Sequence, residues 1–187
     1  DVEFDKASIA SNDLNFFYNE FGKNNIFYVD THLVGTLNNF TTHNLKLTDK
    51  NQSEIIGTAN FQNLFGKENQ EFYMKGSFDR ITSDYEALKI IMPRVLGKNL
   101  PSVLAKLGRV DLNGDVELTQ KYINANVYLL SKLGIVDGDL AIQNIDNIDN
   151  ASYQGNIKLD NFDLGTLLSE KDLGKTTLDL DVDGKGF

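Results

Sequence analysis

Cysteine is absent from the 187 residues, which excludes disulfides, thiolate metal sites and a cysteine nucleophile. A cysteine-free chain is compatible with an oxidising compartment. No apolar run approaches the roughly 18 residues of a membrane-spanning helix, and no secretory leader opens the chain. Any anchor or export signal is therefore expected outside this stretch. Positive charge is scarce: 18 Lys and Arg stand against 27 Asp and Glu, a formal net charge of −9. Nucleic acid and anionic membrane surfaces both require clustered positive charge, so neither is expected as the main partner. Histidine occurs only at His32 and His43, and no Ser, Cys or carboxylate pattern in the sequence makes either a general base or a metal ligand. A phosphate loop, a nucleophile elbow and a metal-spaced cluster are all missing. Nothing in the chain argues for an enzyme, and no metal or cofactor is expected.

What the chain does have is glycine in a recurring place. Leu33-Gly35-Leu37, Ile55-Gly57-Ala59, Met74-Gly76-Phe78, Leu112-Gly114-Val116, Val136-Gly138-Leu140 and Tyr153-Gly155-Ile157 all read apolar-x-Gly-x-apolar, and Val182-Gly184 begins a seventh instance. Side chains of a strand alternate faces with period two, so each glycine shares a face with the hydrophobics around it. Glycine weakens a strand interior and marks a bulge, a bend or a close approach. Its repetition predicts a curved sheet, or an apolar inner wall kept thin along its length.

The alternation is cleanest in the second half. From Arg109 to Thr119 the odd positions are polar, while Val110, Leu112, Gly114, Val116 and Leu118 are apolar or glycine. Ile123, Ala125, Val127 and Leu129 share the next strand face, and Gly134–Gln143, Tyr153–Asp160 and Thr177–Asp183 repeat the pattern. This predicts an antiparallel meander with one dry and one wet face, joined by short polar connectors. In the first half, Ile26–Phe40, Leu45–Thr48, Ile55–Leu64 and Phe72–Ile81 read as strands, and Asp13–Phe21 as a short helix or edge segment rich in aromatics. A helical insert is expected over about 83–108. Ser83 and Glu86 form a capping box, and Tyr85, Leu88, Met92, Val95 and Leu96 recur at helical spacing. Pro93 should kink or end that helix. A second short helix is expected to begin at Pro101, carrying Val103, Leu104 and Leu107 and stopping at Gly108. Leu164–Ser169 suits one further turn. These helices are expected to cover part of the apolar face or an end of the sheet, within a single unit spanning 1–187.

Two constellations look chemical. Asp179-x-Asp181-x-Asp183-Gly184 matches the opening of a calcium loop, but Leu180 and Val182 between the acids continue a strand alternation, which favours a solvated strand face. Asn39-Phe40-Thr41, Asn51-Gln52-Ser53 and Asn150-Ala151-Ser152 are glycosylation sequons of a kind that an Asn-rich chain produces by chance. The residues leave two architectures open. If the strands from Val110 to Val182 form one curved sheet, Leu112, Val116, Val136, Leu140, Ile157, Leu159 and Leu180 share a concave face with Gly114, Gly138 and Gly155. The same alternation also packs two sheets into a sandwich, as in a cell-surface adhesin or carbohydrate-binding module.

The string Tyr153 to Leu168, with Gly155, Ile157, Leu159, Phe162, Leu164, Gly165, Leu167 and Leu168 in place, resembles the recurring G-x-I-x-L-x-x-F-x-L-G-x-L-L unit of the AsmA-like superfamily, to which the TamB-like proteins belong. Leu173-Gly174 and the run Leu178 to Gly186 are similar to the unit's continuation, and Leu96 to Gly108 resembles the helix pair of TamB-like proteins of the Bacteroidetes type. The resemblance covers roughly 72–187 and weakens toward the N-terminus. It implies a mainly β fold: an elongated curved antiparallel sheet, a trough or taco, with an apolar concave face and a short helical insert. It further implies a segment of a longer protein that bridges the inner and outer membranes through the periplasm and is tethered by a segment outside this chain. The implied partners are phospholipid acyl chains and an outer-membrane protein of the BamA family, in lipid transport or outer-membrane protein assembly. The candidate groove residues are Leu112, Gly114, Val116, Val136, Gly138, Leu140, Ile157, Leu159 and Leu180.

Overall fold

The computed structural model describes residues 1–17, 22–64, 70–91, 100 and 102–186, with Phe17 and Ile148 described by backbone alone. Ten strands account for most of them: β1 (Val2–Ala10), β2 (Ile26–Gly35), β3 (Asn39–Asp49), β4 (Glu54–Gln62), β5 (Tyr73–Ser83), β6 (Val110–Thr119), β7 (Tyr122–Ser131), β8 (Gly134–Gln143), β9 (Ser152–Asp163) and β10 (Lys175–Lys185). Each pairs antiparallel with its sequence neighbour, so the order across the sheet is the order along the chain. The sheet is curved and does not close, leaving β1 and β10 at opposite edges. The described residues form one sheet, not a sandwich.

Alternation explains why these segments became strands. On β10 the burial of side chains switches at every residue from Lys175 to Lys185, with Leu178, Leu180 and Val182 turned inward and Asp179, Asp181 and Asp183 outward. The curvature has a separable cause. Register shifts interrupt all five pairings from β1–β2 to β5–β6, and again β9–β10. The pairings β6–β7, β7–β8 and β8–β9 run without one. An extra residue in one strand bends it and tightens its twist. Asn44 and Asn161 sit at such irregularities with positive φ, a conformation that Asn tolerates better than most residues.

The inner-face glycines are of two kinds. Gly114 has φ +132°, and a Cβ there would lie 2.1 Å from the Asn126 carbonyl oxygen on β7. Gly155 is similar, its Cβ position 1.9 Å from the Asp139 oxygen on β8. At these points only glycine lets the neighbouring backbones approach. Gly138 differs: its nearest neighbours would be 3.9 Å away, an ordinary contact. The expected shared role for Gly114 and Gly138 therefore divides, one setting backbone geometry and the other leaving room.

Several local expectations need correction. The run Ile26–Phe40 is two strands, because Thr36 and Asn39 exchange backbone hydrogen bonds of 2.7 and 3.1 Å around a tight turn. Leu37 sits in that turn, 69% exposed, rather than on the apolar face. β1 has no counterpart among the expected strands. The capping box at Ser83 is also displaced. Ser83 is the fully buried end of β5, with its Oγ 3.0 Å from the Oγ of equally buried Ser53. Asp84 caps helix α2 (Tyr85–Ile91) instead, its carboxylate accepting from the Ala87 N–H at 2.9 Å. Met92, Pro93, Val95, Leu96 and Pro101 lie outside the described residues, as do Tyr18 and Phe21. The second short helix is a 3-10 segment, Ser102–Leu107, followed by Gly108 at φ +70°. At the N-terminal side α1 (Ser11–Phe17) is helical, and α3 (Leu164–Leu168) is capped by Asp163.

The apolar face is sealed unevenly. One buried cluster joins Ala59, Leu64, Phe72, Met74, Phe78, Leu118 and Ile145. Another joins Phe27, Val29 and Leu45, with Leu14 of α1 and Ile91 of α2 packed against it. The helices therefore cover the inner face over β2 and β3, as the expected covering role requires. Alternate connectors also bond to one another at the sheet ends: the Ile145 N–H donates to Lys121 O at 3.0 Å and the Gly186 N–H to Ala151 O at 2.7 Å. At the opposite end the Asp163 N–H donates to Leu133 O at 2.7 Å.

Gly114→Val should cost about 3 kcal/mol or more, from a strained φ together with a backbone clash. Gly138→Ala should stay within about 1 kcal/mol of the parent. Urea midpoints of the two variants check this ordering, which equal losses would contradict.

Candidate functional site: the open inner face

Register places the inward residues of neighbouring strands in rows that cross the sheet. One row runs Leu112, Leu129, Val136, Leu159, Leu178 from β6 to β10. The next runs Gly114, Val127, Gly138, Ile157, Leu180, and a third Val116, Ala125, Leu140, Gly155, Val182. A fourth, Leu118, Ile123, Ile142, Tyr153, Gly184, closes the set. All nine candidate groove residues fall in the first three rows, on one face. The candidate set omitted β7 entirely: Ala125, Val127 and Leu129 complete the same rows, as do Leu178 and Val182. The period-two pattern marked these positions as plainly as the others.

Exposure varies across the inner face. Among the candidates, Leu112, Gly114, Val116, Val136, Leu140, Ile157, Leu159 and Leu180 are all half-buried, and only Gly138 is buried. On β2 to β5 Val29 is 9% exposed, Leu45 7%, Ala59 1% and Phe78 7%, whereas Leu47, Ile55 and Ile81, in register with Leu112, are half-buried like the candidates. The tightest packing thus lies on β2 to β5 and reaches β6 at Leu118, 4% exposed in the fourth row. Apart from the Tyr153 hydroxyl, no side chain in the four rows carries a hydrogen-bonding group, so this surface offers shape and dispersion and no acid–base chemistry.

The outer face is polar by the same register. Asp115, Asn126, Asp139, Asn156 and Asp181 form one row in which amides separate the carboxylates. The Asn156 amide donates to Asp179 at 2.8 Å and to Asp181 at 3.2 Å, and Lys158 pairs with Asp179 at 3.6 Å. The three aspartates of the calcium-like motif are therefore exposed members of a strand face. A shallow open depression of about 560 Å³ lies here over Asp139, Asn156, Asp181 and Asp183. Among the described residues no group of three or more His, Asp or Glu is arranged to hold a metal ion. His32 and His43 are cross-strand partners on this face, ring centroids 5.9 Å apart, with Asp1 bonded to His32. That pairing depends on the β2–β3 register, which no motif in the chain marks.

At one end of the outer face Tyr122 donates to Glu117 at 2.9 Å. Its partial burial and this bond to an anion push the phenol up to about 12. No helix among the described residues is long and apolar enough to cross a membrane. No family model matches the chain, and no curated protein or solved structure shows significant similarity to it.

A phenol raised in the folded state favours folding fully below the unfolded value near 10, and that contribution is lost as pH rises toward 12. Tyr73 is raised in the same direction by burial and by Glu117, so spectrophotometric titration should show two tyrosines ionising late, and Tyr122→Phe should leave one. Two late steps surviving the substitution would assign the shift to another tyrosine.

Proposed function

We propose that the open inner face holds phospholipid acyl chains, in a TamB-like, AsmA-like protein of the periplasm that serves lipid transport or outer-membrane protein assembly. The single observation that carries the reading is an unclosed sheet whose β6–β10 strands present contiguous apolar rows, half-buried at every position but Leu118 and Gly138, with no second sheet against them among the described residues. Apolar surface of this extent is costly to leave in water and commonly marks an interaction site. Each methylene buried there contributes about 0.8 kcal/mol without directional demand. A non-polar chain with no hydrogen-bonding groups suits such a surface, since the rows offer it no polar partner. The amide-spaced carboxylates opposite keep the outer face solvated. An outer-membrane protein of the BamA family fits this reading as a docking partner.

The competing surface adhesin or carbohydrate module draws less support. It would use exposed loop aromatics over a two-sheet body. The described residues form one sheet, and the exposed aromatics Phe16, Tyr28 and Tyr128, at 87, 51 and 42%, lie in a helix and two strands rather than in loops.

A photo-crosslinking residue at Leu140, tested in cells beside one at Asp139, separates the two faces. Phospholipid adducts should form at Leu140 and be scarce at Asp139. Equal labelling at both, or none at either with normal expression, would sink the proposal. Leu140→Asp or Ile157→Asp sets a charge where acyl chains cannot solvate it. Each should reduce captured lipid tenfold or more while the far-ultraviolet circular dichroism persists.

A further inference from the structure

The two edges of the sheet are built differently. β1 is interrupted between Phe4 and Ala7, with Lys6 at φ +50°, and an irregularity of this kind turns an edge strand away from incoming chains. β10 keeps eight consecutive residues, Leu178 to Lys185, in unbroken register with β9. It contains no proline, and its inward positions there carry Leu178, Leu180, Val182 and Gly184 rather than charge. No strand among the described residues pairs with its other side. One edge is blunted and the other is left straight.

Charge on the outer face determines what suits the straight edge. From β6 to β10, acidic strands alternate with strands that carry amides or lysine. Asp115 and Glu117 of β6 face Asn126 and Asn124 of β7, and Asp139 of β8 lies between Asn126 and Asn156. On β9, Lys158 lies between Asp137 and Asp179, and Asn156 between Asp139 and Asp181. Among the described residues of these strands, no carboxylate is the direct cross-strand partner of another. Like charges placed directly opposite destabilise a sheet. β10 belongs to the acidic set, with Asp179, Asp181 and Asp183 on its outer face. A second copy of β10 is therefore a poor partner. Antiparallel pairing centred on Asp181 would set Asp179 against Asp183 and Asp181 against its own equivalent.

We propose that β10 is a docking edge for an extended polypeptide segment of another protein, one whose residues alternate aliphatic with Asn, Gln or Lys. Backbone hydrogen bonds supply the attachment, and side chains on the two faces supply the selection. The aliphatic residues of the segment extend the inner rows past Leu178, Leu180 and Val182. Its amides or lysines meet the aspartates as β9 does from the other side, where the Asn156 amide reaches Asp181 at 3.2 Å and Lys158 reaches Asp179 at 3.6 Å. Docking at this edge requires no lipid on the inner face and is independent of the acyl-chain proposal.

The test uses the whole 187-residue chain and three synthetic peptides as long as the eight regularly paired residues of β10. One alternates Val or Leu with Asn and Lys. The second carries Asp or Glu in place of each Asn and Lys, and the third scrambles the first, losing the alternation at equal charge. Fluorescence anisotropy reads affinity, and hydrogen exchange read by mass spectrometry locates the contact. The first peptide should bind at least tenfold more tightly than the other two and slow exchange in β10, with β1 unchanged. Asp181→Lys with Asp183→Lys should invert the preference toward the acidic peptide. Asp181→Asn with Asp183→Asn, used if the lysine pair fails to fold, should abolish the preference. Equal binding of the first and scrambled peptides would show adsorption to an acidic face and overturn the proposal. Absence of binding, or slowed exchange at β1 instead, would overturn it too. So would a wild-type dimer in sedimentation with β10 protected, which makes a second copy the occupant.

Discussion

Apolar side chains on one side of the sheet meet their cross-strand neighbours at about 4.5–5.5 Å, and this contact recurs at every strand boundary. Because the strands pair in chain order, each row is assembled from residues that the sequence spaces regularly. The rows hold adjacent strands in register, since a slip by one residue would turn Leu178, Leu180 and Val182 outward and the three aspartates of β10 inward. Curvature, cover and exposure are consequences of how these rows are filled. Where they contain Phe27, Val29 and Leu45 and receive α1 and α2, one buried cluster results, and Phe78 belongs to a second that takes in Leu118 of β6. From β7 to β10 the rows stay mostly half-buried.

Bulges and glycines divide the work of bending. The first six strands are interrupted at each pairing, while β6 to β9 keep register throughout. In that regular stretch the close backbone approaches at Gly114 and Gly155 supply the local distortion that bulges supply elsewhere. The candidate rows therefore keep register from β6 to β9 and cross one shift at β9–β10.

The same regularity decided what could be read in advance. β6 to β10 were legible because their period of two holds along most of each strand, up to Asp160 in β9 before the irregularity at Asn161. β1 was not, since the shift between Phe4 and Ala7, with Lys6 at positive φ, destroys its alternation. The β2–β3 boundary was hidden because Leu37 continues the apolar pattern into a turn, where backbone hydrogen bonds rather than side chains set the geometry. At Ser83 a capping signature was overruled by burial, and the neighbouring aspartate took the role. The candidate residues were legible as one face. Their grouping into rows depends on register, which a single strand's pattern does not contain.

Pairing in strict chain order also bears on how such a molecule is made. Every strand after the first finds its partner in the segment synthesised just before it, so loop closure is short at nearly every step. The longest step is β5–β6, which must span the helical insert between Ser83 and Val110, with shorter ones across α1 and α3. Local pairings of this sort keep contact order low for an all-β protein, and low contact order favours rapid folding. The sheet can extend strand by strand as the chain emerges, with the insert marking the place where growth must wait for the longest segment to arrive.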